Sequence, residues 1–400
     1  MVFGRGFQRG QRPLVFALIL GLFLTTGSEV IAAENGPAAD PHAVGCILPL
    51  SGRYAALGGR ALDAVLLATG VFHGEKETPI RLIVEDSQSE PAVAGAAVAR
   101  LHRKGVACIV GPLGGLEAME AAKEAQRLKI PVLTLTQWEG ITEVGDYVFR
   151  NFITAAMQVR TIVHYAQAEL GLRRFAILHP EDPYGQEMAR LFRQEVLSKG
   201  GEIRKVQAYR TDENDYADPI CALTGIVPAG DDRRKPPGAP ARPDLGFEAL
   251  FIPDAYHRVA MIVPQLAYHD VTGVRLLGTS GWDSPELLKA NSELFEGAVF
   301  VDGFFTDSFR PEAGNFTEAF YLAYSREPET MEALVYDAAH MAVRLLLDGR
   351  GQSREAFRNA LAQVKDFRGV TGRTTFPPSR DAQKELFVLT VRDNQITQVK

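Results

Sequence analysis

Cysteine is scarce, with three residues in a chain of four hundred. None of the three has the paired spacing of a metal or redox site, which excludes zinc modules and dithiol chemistry. The eight histidines are scattered, and no His-Glu-x-x-His pair is present to hold a catalytic zinc. Basic residues are not in excess. The net charge of −6 argues against nucleic acid as a partner. Signatures of catalysis are missing as well. There is no Gly-x-Ser-x-Gly elbow, since Gly278-Thr-Ser-Gly281 has the wrong spacing. There is no Walker loop, and Gly111-Pro-Leu-Gly-Gly115 lacks the spacing of a dinucleotide turn. A non-enzyme without cofactor or metal is the expectation.

What is present begins with an export pattern. Arg5, Arg9 and Arg12 precede an apolar run at residues 14–24, and small residues follow up to Ala32-Ala33. Eleven apolar residues are too few to span a bilayer. The pattern is that of a secretory signal peptide over residues 1–33, cleaved near Ala32-Ala33. No cysteine follows closely enough for a lipobox, so a soluble periplasmic protein is expected. Removing residues 1–33 takes away three arginines and one glutamate, and the net charge becomes −8.

Beyond a short linker, strands and helices alternate strictly. Apolar strands are expected at 44–48, 80–85 and 106–110, with helices at 57–71, 91–104 and 117–128 between and after them. This β-α-β succession marks an open parallel sheet covered on both faces. A second series follows, with strands at 174–179, 203–209, 248–254, 273–280 and 297–301 and helices at 156–170, 186–199 and 257–268. Helices at 315–325, 331–347 and 353–362 come next, and a closing hairpin turns at Asp393-Asn394. Residues 229–247 break the rhythm with Pro236, Pro237, Pro240, Pro243 and the basic run Arg233-Arg234-Lys235. They read as an exposed proline-rich insertion, either a docking loop or a tolerated surface segment.

One unit occurs twice. Val106-Ala-Cys-Ile-Val110, the turn at Gly114-Gly115, a helix and a strand from Ile130 form the first copy. Glu248 to Asp254, a helix and Gly273 to Ser280 form the second. About twenty residues separate the strands in each, the length of a parallel crossover. Cys46 and Cys108 fall in two strands that can be neighbours, which leaves both a disulfide and two buried thiols open. Cys221 is expected to be free.

The stretches Leu48-Pro-Leu-Ser-Gly52 with Gly58, Ile109-Val-Gly-Pro112, His179-Pro-Glu-Asp-Pro-Tyr-Gly185, Thr211 through Tyr216 and Phe367 through Phe376 carry a resemblance. The chain resembles the leucine/isoleucine/valine-binding family of periplasmic solute receptors, over residues 42–400. The resemblance implies a type I periplasmic binding protein fold: α/β, with two doubly wound parallel-sheet lobes joined by a three-stranded hinge. Lobe 1 would comprise 42–150 plus 305–370, and lobe 2 would comprise 154–302 plus 373–400. The implied crossovers lie near 150–154, 302–305 and 369–375. The implied function is a receptor that closes around a small polar, amino-acid-like ligand for an ABC permease or membrane receptor. Phe251-Ile-Pro-Asp254 and Val274 to Ser280 look most like members labelled penicillin-binding protein activators. That likeness implies an alternative, a non-transport regulator of a penicillin-binding protein in wall synthesis.

Ligands of open parallel sheets lie beyond the carboxyl ends of the strands. Those positions hold Ser51, Arg53, Tyr54, Gly114, Gly115, Thr136, Gln137 and Trp138 in the first half. In the second half they hold Tyr184, Asp254, Ser280 and Trp282. The N–H groups behind Gly114-Gly115 suit a carboxylate, Asp254 suits an ammonium, and the two tryptophans suit flat apolar walls. Each has a plainer reading: a tight turn for the glycines, core or lobe contacts for the tryptophans, a solvated charge for Arg53, a helix cap for Asp254. By resemblance, amino-acid receptors grip the α-carboxylate with a serine and a threonine. Here those positions carry Gly115 and either Thr136 or Trp138. The expected ligand-facing aromatic is matched by Tyr184, while the expected acid falls on Ser280. Half of the amino-acid signature is absent.

Overall fold

The structure, a computed structural model, describes residues 37–70, 79–225 and 245–399. The expected signal segment and nearly all of the proline-rich insertion lie outside the described residues. The first sheet is built from β1 (Ala43–Leu48), β2 (Arg81–Asp86), β3 (Cys108–Val110), β4 (Val132–Thr134) and β5 (Val148–Arg150). Its order is β2-β1-β3-β4-β5, and every pairing is parallel. Strands β1, β3, β4 and β5 are buried along their whole length, as parallel strands covered on both faces must be. Helices α1 (Ala55–Thr69), α2 (Pro91–Arg103) and α3 (Gly115–Leu128) supply the cover. Helix α3 buries Ala118, Ala121, Ala122 and Ala125, and α2 buries Ala94, Ala97, Val98 and Leu101. Small residues at i, i+3 and i+4 spacing let the two helices pack closely on one face of the sheet.

The chain then leaves this sheet. Helix α4 (Ala155–His164) leads to β6 (Arg174–Pro180), α5 (Pro183–Ser198), β7 (Glu202–Tyr209), α6 (Ala217–Thr224), β8 (Ala249–Phe251), α7 (Tyr256–Tyr268), β9 (Arg275–Leu277) and β10 (Val299–Asp302). It returns with α8 (Pro311–Tyr324), α9 (Thr330–Leu345) and α10 (Arg354–Ala362), and α9 packs on α1 and β3. A small antiparallel sheet follows, made of β11 (Phe367–Gly369), β12 (Gly372–Thr375) and β13 (Gln383–Lys384). The hairpin β14 (Phe387–Arg392) and β15 (Gln395–Gln398) closes the second sheet, whose order is β15-β14-β10-β9-β8-β6-β7. That sheet is parallel from β10 to β7 and antiparallel at its β14–β15 edge. Asp393 and Asn394 turn the hairpin with positive φ, a conformation these two residues tolerate.

The chain therefore passes between the sheets three times: after Arg150, after Asp302, and through β11–β13. The doubled unit is β3-α3-β4 in one sheet and β8-α7-β9 in the other, parallel in both. Two features differ from expectation, and the open question of the two cysteines is answered. The helix expected over 156–170 ends at His164 and continues as a wider π turn, Tyr165–Glu169. Strands β5 and β11–β13 have no counterpart among the expected strands, and β11 and β12 lie at the crossover expected near 369–375. Cys46 and Cys108 lie on adjacent strands, offset by two residues, as free buried thiols. Burial pushes the Cys46 thiol up to about 12, far from a reactive thiolate. Cys221 is free and half-buried.

Candidate ligand cleft

The loop after β1 is fixed from the end of β2. Asp86 accepts from the backbone N–H groups of Leu50 (2.9 Å), Ser51 (3.2 Å) and Gln88 (2.7 Å), and from the Ser51 hydroxyl (2.6 Å). Burial opposes ionisation of this carboxyl, but the Ser51 hydroxyl and the three N–H groups outweigh it and hold the group below its ordinary value. Ser89 donates its hydroxyl to the Ser51 carbonyl (2.9 Å) and accepts from the Tyr54 N–H (3.1 Å). Ser51 thus spends its hydroxyl on the loop, and the loop presents Arg53 and Tyr54 at the start of α1. The Arg53 guanidinium lies 4.5 Å from the Tyr54 ring centroid.

Tyr54, Gly114, Gly115, Thr136, Gln137 and Trp138 come together around a cleft of about 430 Å³ beyond the carboxyl ends of β1, β3 and β4. A side chain at position 115 would place its Cβ 2.9 Å from Trp138 Cε3, so glycine there makes room for the indole. Trp138 is 43% exposed. Its N–H donates to the buried Thr136 hydroxyl (3.2 Å). Arg150, at the first crossover, donates to the carbonyls of Gln137 (3.2 Å) and Trp138 (3.0 Å) and pairs with Asp381. The N-terminus of α3 already has an anion nearby. Glu117 is buried in its first turn and accepts the Ser87 hydroxyl. A second chamber of about 640 Å³ shares Tyr54, Gly114, Gly115 and Trp138 and extends to Arg53, Gln88 and Glu90.

The four residues of the second half are placed differently. Tyr184, at the start of α5, is exposed and its hydroxyl lies 3.4 Å from Thr279 Oγ1. Ser280 is half-buried, and its N–H donates to Gln158 on α4 (2.9 Å). Asp254 is not a free acceptor. It is buried, accepts the Tyr209 hydroxyl at 2.5 Å and the Ala255 N–H at 2.7 Å, and pairs with Arg258 at 2.7 Å. Nor does it cap α7, whose cap position is Ala255 without a side-chain bond. Trp282 is wholly buried between Phe295 and Phe300, with its indole N–H donating to the Ile252 carbonyl (3.1 Å). Its ring is core, not a cleft wall, because the chain after β9 folds inward as a 3-10 turn over Ser280–Trp282.

A family model described as periplasmic binding protein matches residues 41–395. The chain belongs to the periplasmic binding protein family. The fold is shared with a Rhodospirillum rubrum protein assigned as a branched-chain amino acid ABC transporter, at TM-score 0.79 and 22% identity, covering 91% of this chain and all of that one. It is also shared with a solute binding protein of an ABC transporter from Rhodopseudomonas palustris, in complex with 3,4-dihydroxybenzoic acid. There the TM-score is 0.62 and the identity 20%, covering 88% of this chain and 94% of that one. An uncharacterised protein of Methanocaldococcus jannaschii is 25% identical over 225 residues, 52% of this chain. The match spans about half of that relative's length, 54%.

In this periplasmic binding protein the cleft owes much to residues that sequence reading passes over. Phe152, just past the first crossover, and Met331, on α9, complete its wall together with Pro49, Leu57, Leu113 and Leu135. Position in sequence gives no sign of Phe152 or Met331, since both reach the cleft only because the chain crosses back. A second unanticipated feature lies at the crossover after β10. Asp302 is buried, accepting from the Gly303 N–H (2.5 Å) and the Thr330 hydroxyl (2.9 Å). Burial and the neighbouring Asp283 carboxyl push Asp302 well above the ordinary carboxylate range, and burial pushes Asp283 up to about 6.

Proposed function

We propose that this chain is an extracytoplasmic solute receptor for an ABC importer. Two lobes, residues 42–150 with 305–370 and residues 154–302 with 373–400, close about the three crossovers on a small carboxylate-bearing solute of amino-acid size. The observation that carries this reading is the cleft itself. It lies beyond the carboxyl ends of parallel strands, is walled by Tyr54, Trp138 and apolar side chains, and is bounded by residues of the first crossover and of α9. Family membership supports it, as does the signal-peptide pattern of residues 1–33. The relatives of like fold are associated with both branched-chain amino acids and an aromatic acid. The residues of the cleft, rather than the fold, must therefore select the ligand.

The test is a thermal-unfolding screen with amino acids, aromatic and aliphatic acids, peptides and wall fragments. A ligand at a hundred times its Kd should add roughly 2.7 kcal/mol of stability and raise the midpoint accordingly. An unchanged midpoint with every solute, together with co-purification of a wall synthase, would instead favour the regulator of a penicillin-binding protein.

A further inference from the structure

The second crossover carries two carboxyls that face each other. Asp302 ends β10 in the second sheet, and Asp283 follows the Ser280–Trp282 turn. They are hydrogen-bonded to one another, with Asp302 buried and Asp283 half-buried. Two carboxylates this close repel strongly away from water, so the contact is stable only with a proton between them, and the two titrate as a unit.

The pair is tied to both sheets. Asp302 also accepts the Thr330 hydroxyl (2.9 Å) at the start of α9, the helix that packs on α1 and β3 of the first sheet. The next residue, Met331, lines the cleft. On the other side, Ser280 in the turn before Asp283 donates its N–H to Gln158 on α4 (2.9 Å), just past the first crossover. Gly303 sits against that crossover, since a Cβ there would lie 2.0 Å from Ile153 Cδ1. Two of the three links between the sheets therefore meet beside these carboxyls.

No cation is placed to hold a second negative charge. Among the described residues neither carboxyl has a Lys, Arg or His partner, and the Asp307 carboxylate adds repulsion at Asp283. The charges on the surrounding elements are engaged elsewhere or face water. On α9, Glu329 and Glu332 pair with Arg60, and Glu332 also with Arg326. On β14, Phe387 lies opposite Asp302, and Arg310, stacked on its ring, turns to Glu385. Arg275 of β9 donates to the Gly297 carbonyl. Helix α4 turns the neutral Gln158 inward and leaves Arg160 and His164 exposed.

We propose that a proton shared by Asp283 and Asp302 holds the two sheets in the arrangement described, and that its loss to solvent as pH rises opens the cleft. Once both carboxylates are charged they part and take up water. Thr330 loses its fixed acceptor, and the cleft wall at Met331 loosens with it. The device acts whatever solute the cleft takes.

Small-angle X-ray scattering of the solute-free protein at pH 5 and pH 8 reads the effect. The radius of gyration should rise from the lower pH to the higher. Asp302→Asn removes the shared proton and should give one radius at both pH values. Asp283→Asn should do the same, which keeps the test open if one variant fails to fold. Thr330→Val keeps both carboxyls and cuts the tie to α9. Its urea midpoint should still fall with pH, while its radius no longer changes. An unchanged radius in the unmodified protein would overturn the proposal, and so would a full pH response in Asp302→Asn or Thr330→Val. Either result leaves the receptor reading standing, which falls instead if no solute stabilises the protein.

Discussion

Asp302 and Asp283 give the molecule a titration of known sign. Both carboxyls ionise at higher pH in the folded chain than in the unfolded one. Between about pH 4 and the raised values, the folded state therefore holds more protons than the unfolded state. Stability from this pair is present at the low end of that window and is lost as pH rises through about 6 and beyond. Urea midpoints measured from pH 4.5 to 8 should fall with pH, and Asp302→Asn should flatten the fall; parallel curves for the two proteins would refute the assignment. The two tryptophans make a second contrast. Trp282→Ala empties a core site between Phe295 and Phe300 and should cost about 3–5 kcal/mol. Trp138→Ala should change stability by no more than about 0.5 kcal/mol, as an exposed residue does, yet weaken solute binding. Denaturant unfolding and calorimetric binding of the two variants read the difference directly. Sequence reading treats these residues alike, because each follows the second strand of a doubled unit. Their fates diverge through Phe295 and Phe300, contacts that no local pattern encodes.

At the scale of elements, Arg150 joins three pieces of chain. It ends β5, pairs with Asp381 ahead of β13, and holds the carbonyls of Gln137 and Trp138 at the cleft. Its guanidinium is almost wholly buried, so Arg150→Met should leave Asp381 and the two carbonyls without their donor. A loss of about 3–5 kcal/mol is expected, with a red-shifted Trp138 emission as the loop loosens. Unfolding midpoints and emission spectra check both effects. A second buried junction lies behind it. Asp337 on α9 accepts from Val370, Thr371 and the Thr371 hydroxyl, with Lys384 at 4.0 Å. Burial lowers Lys384 to about 8, only partly offset by the Asp337 charge. The regular elements were legible because their apolar periods, two and near 3.6, are strong signals over long windows. The strands β5 and β11–β13 were not. They are short, and their pairing depends on chain brought back from far away. Asp254 shows the same limit. Arg258 sits one helical turn on and was visible, but the Tyr209 hydroxyl comes from β7 and was not.

For the whole molecule, the doubled unit is the organising fact. Each copy places one strand–helix–strand crossover in its own sheet, and the chain links the sheets three times. The first copy presents an open cleft at Gly115, Thr136 and Trp138. The second fills the corresponding place with core, at Trp282, and with an internal ion pair, at Asp254. Two-lobe architecture was thus legible in alternation and repetition, whereas the asymmetry of the two copies required tertiary contacts. Under the proposed function, the lobes close on a bound solute about these three links. Small-angle X-ray scattering of the protein, alone and saturated with the solute that most raises its unfolding midpoint, reads this closure. The radius of gyration should fall on saturation. Superimposable scattering curves with and without saturating solute would contradict it.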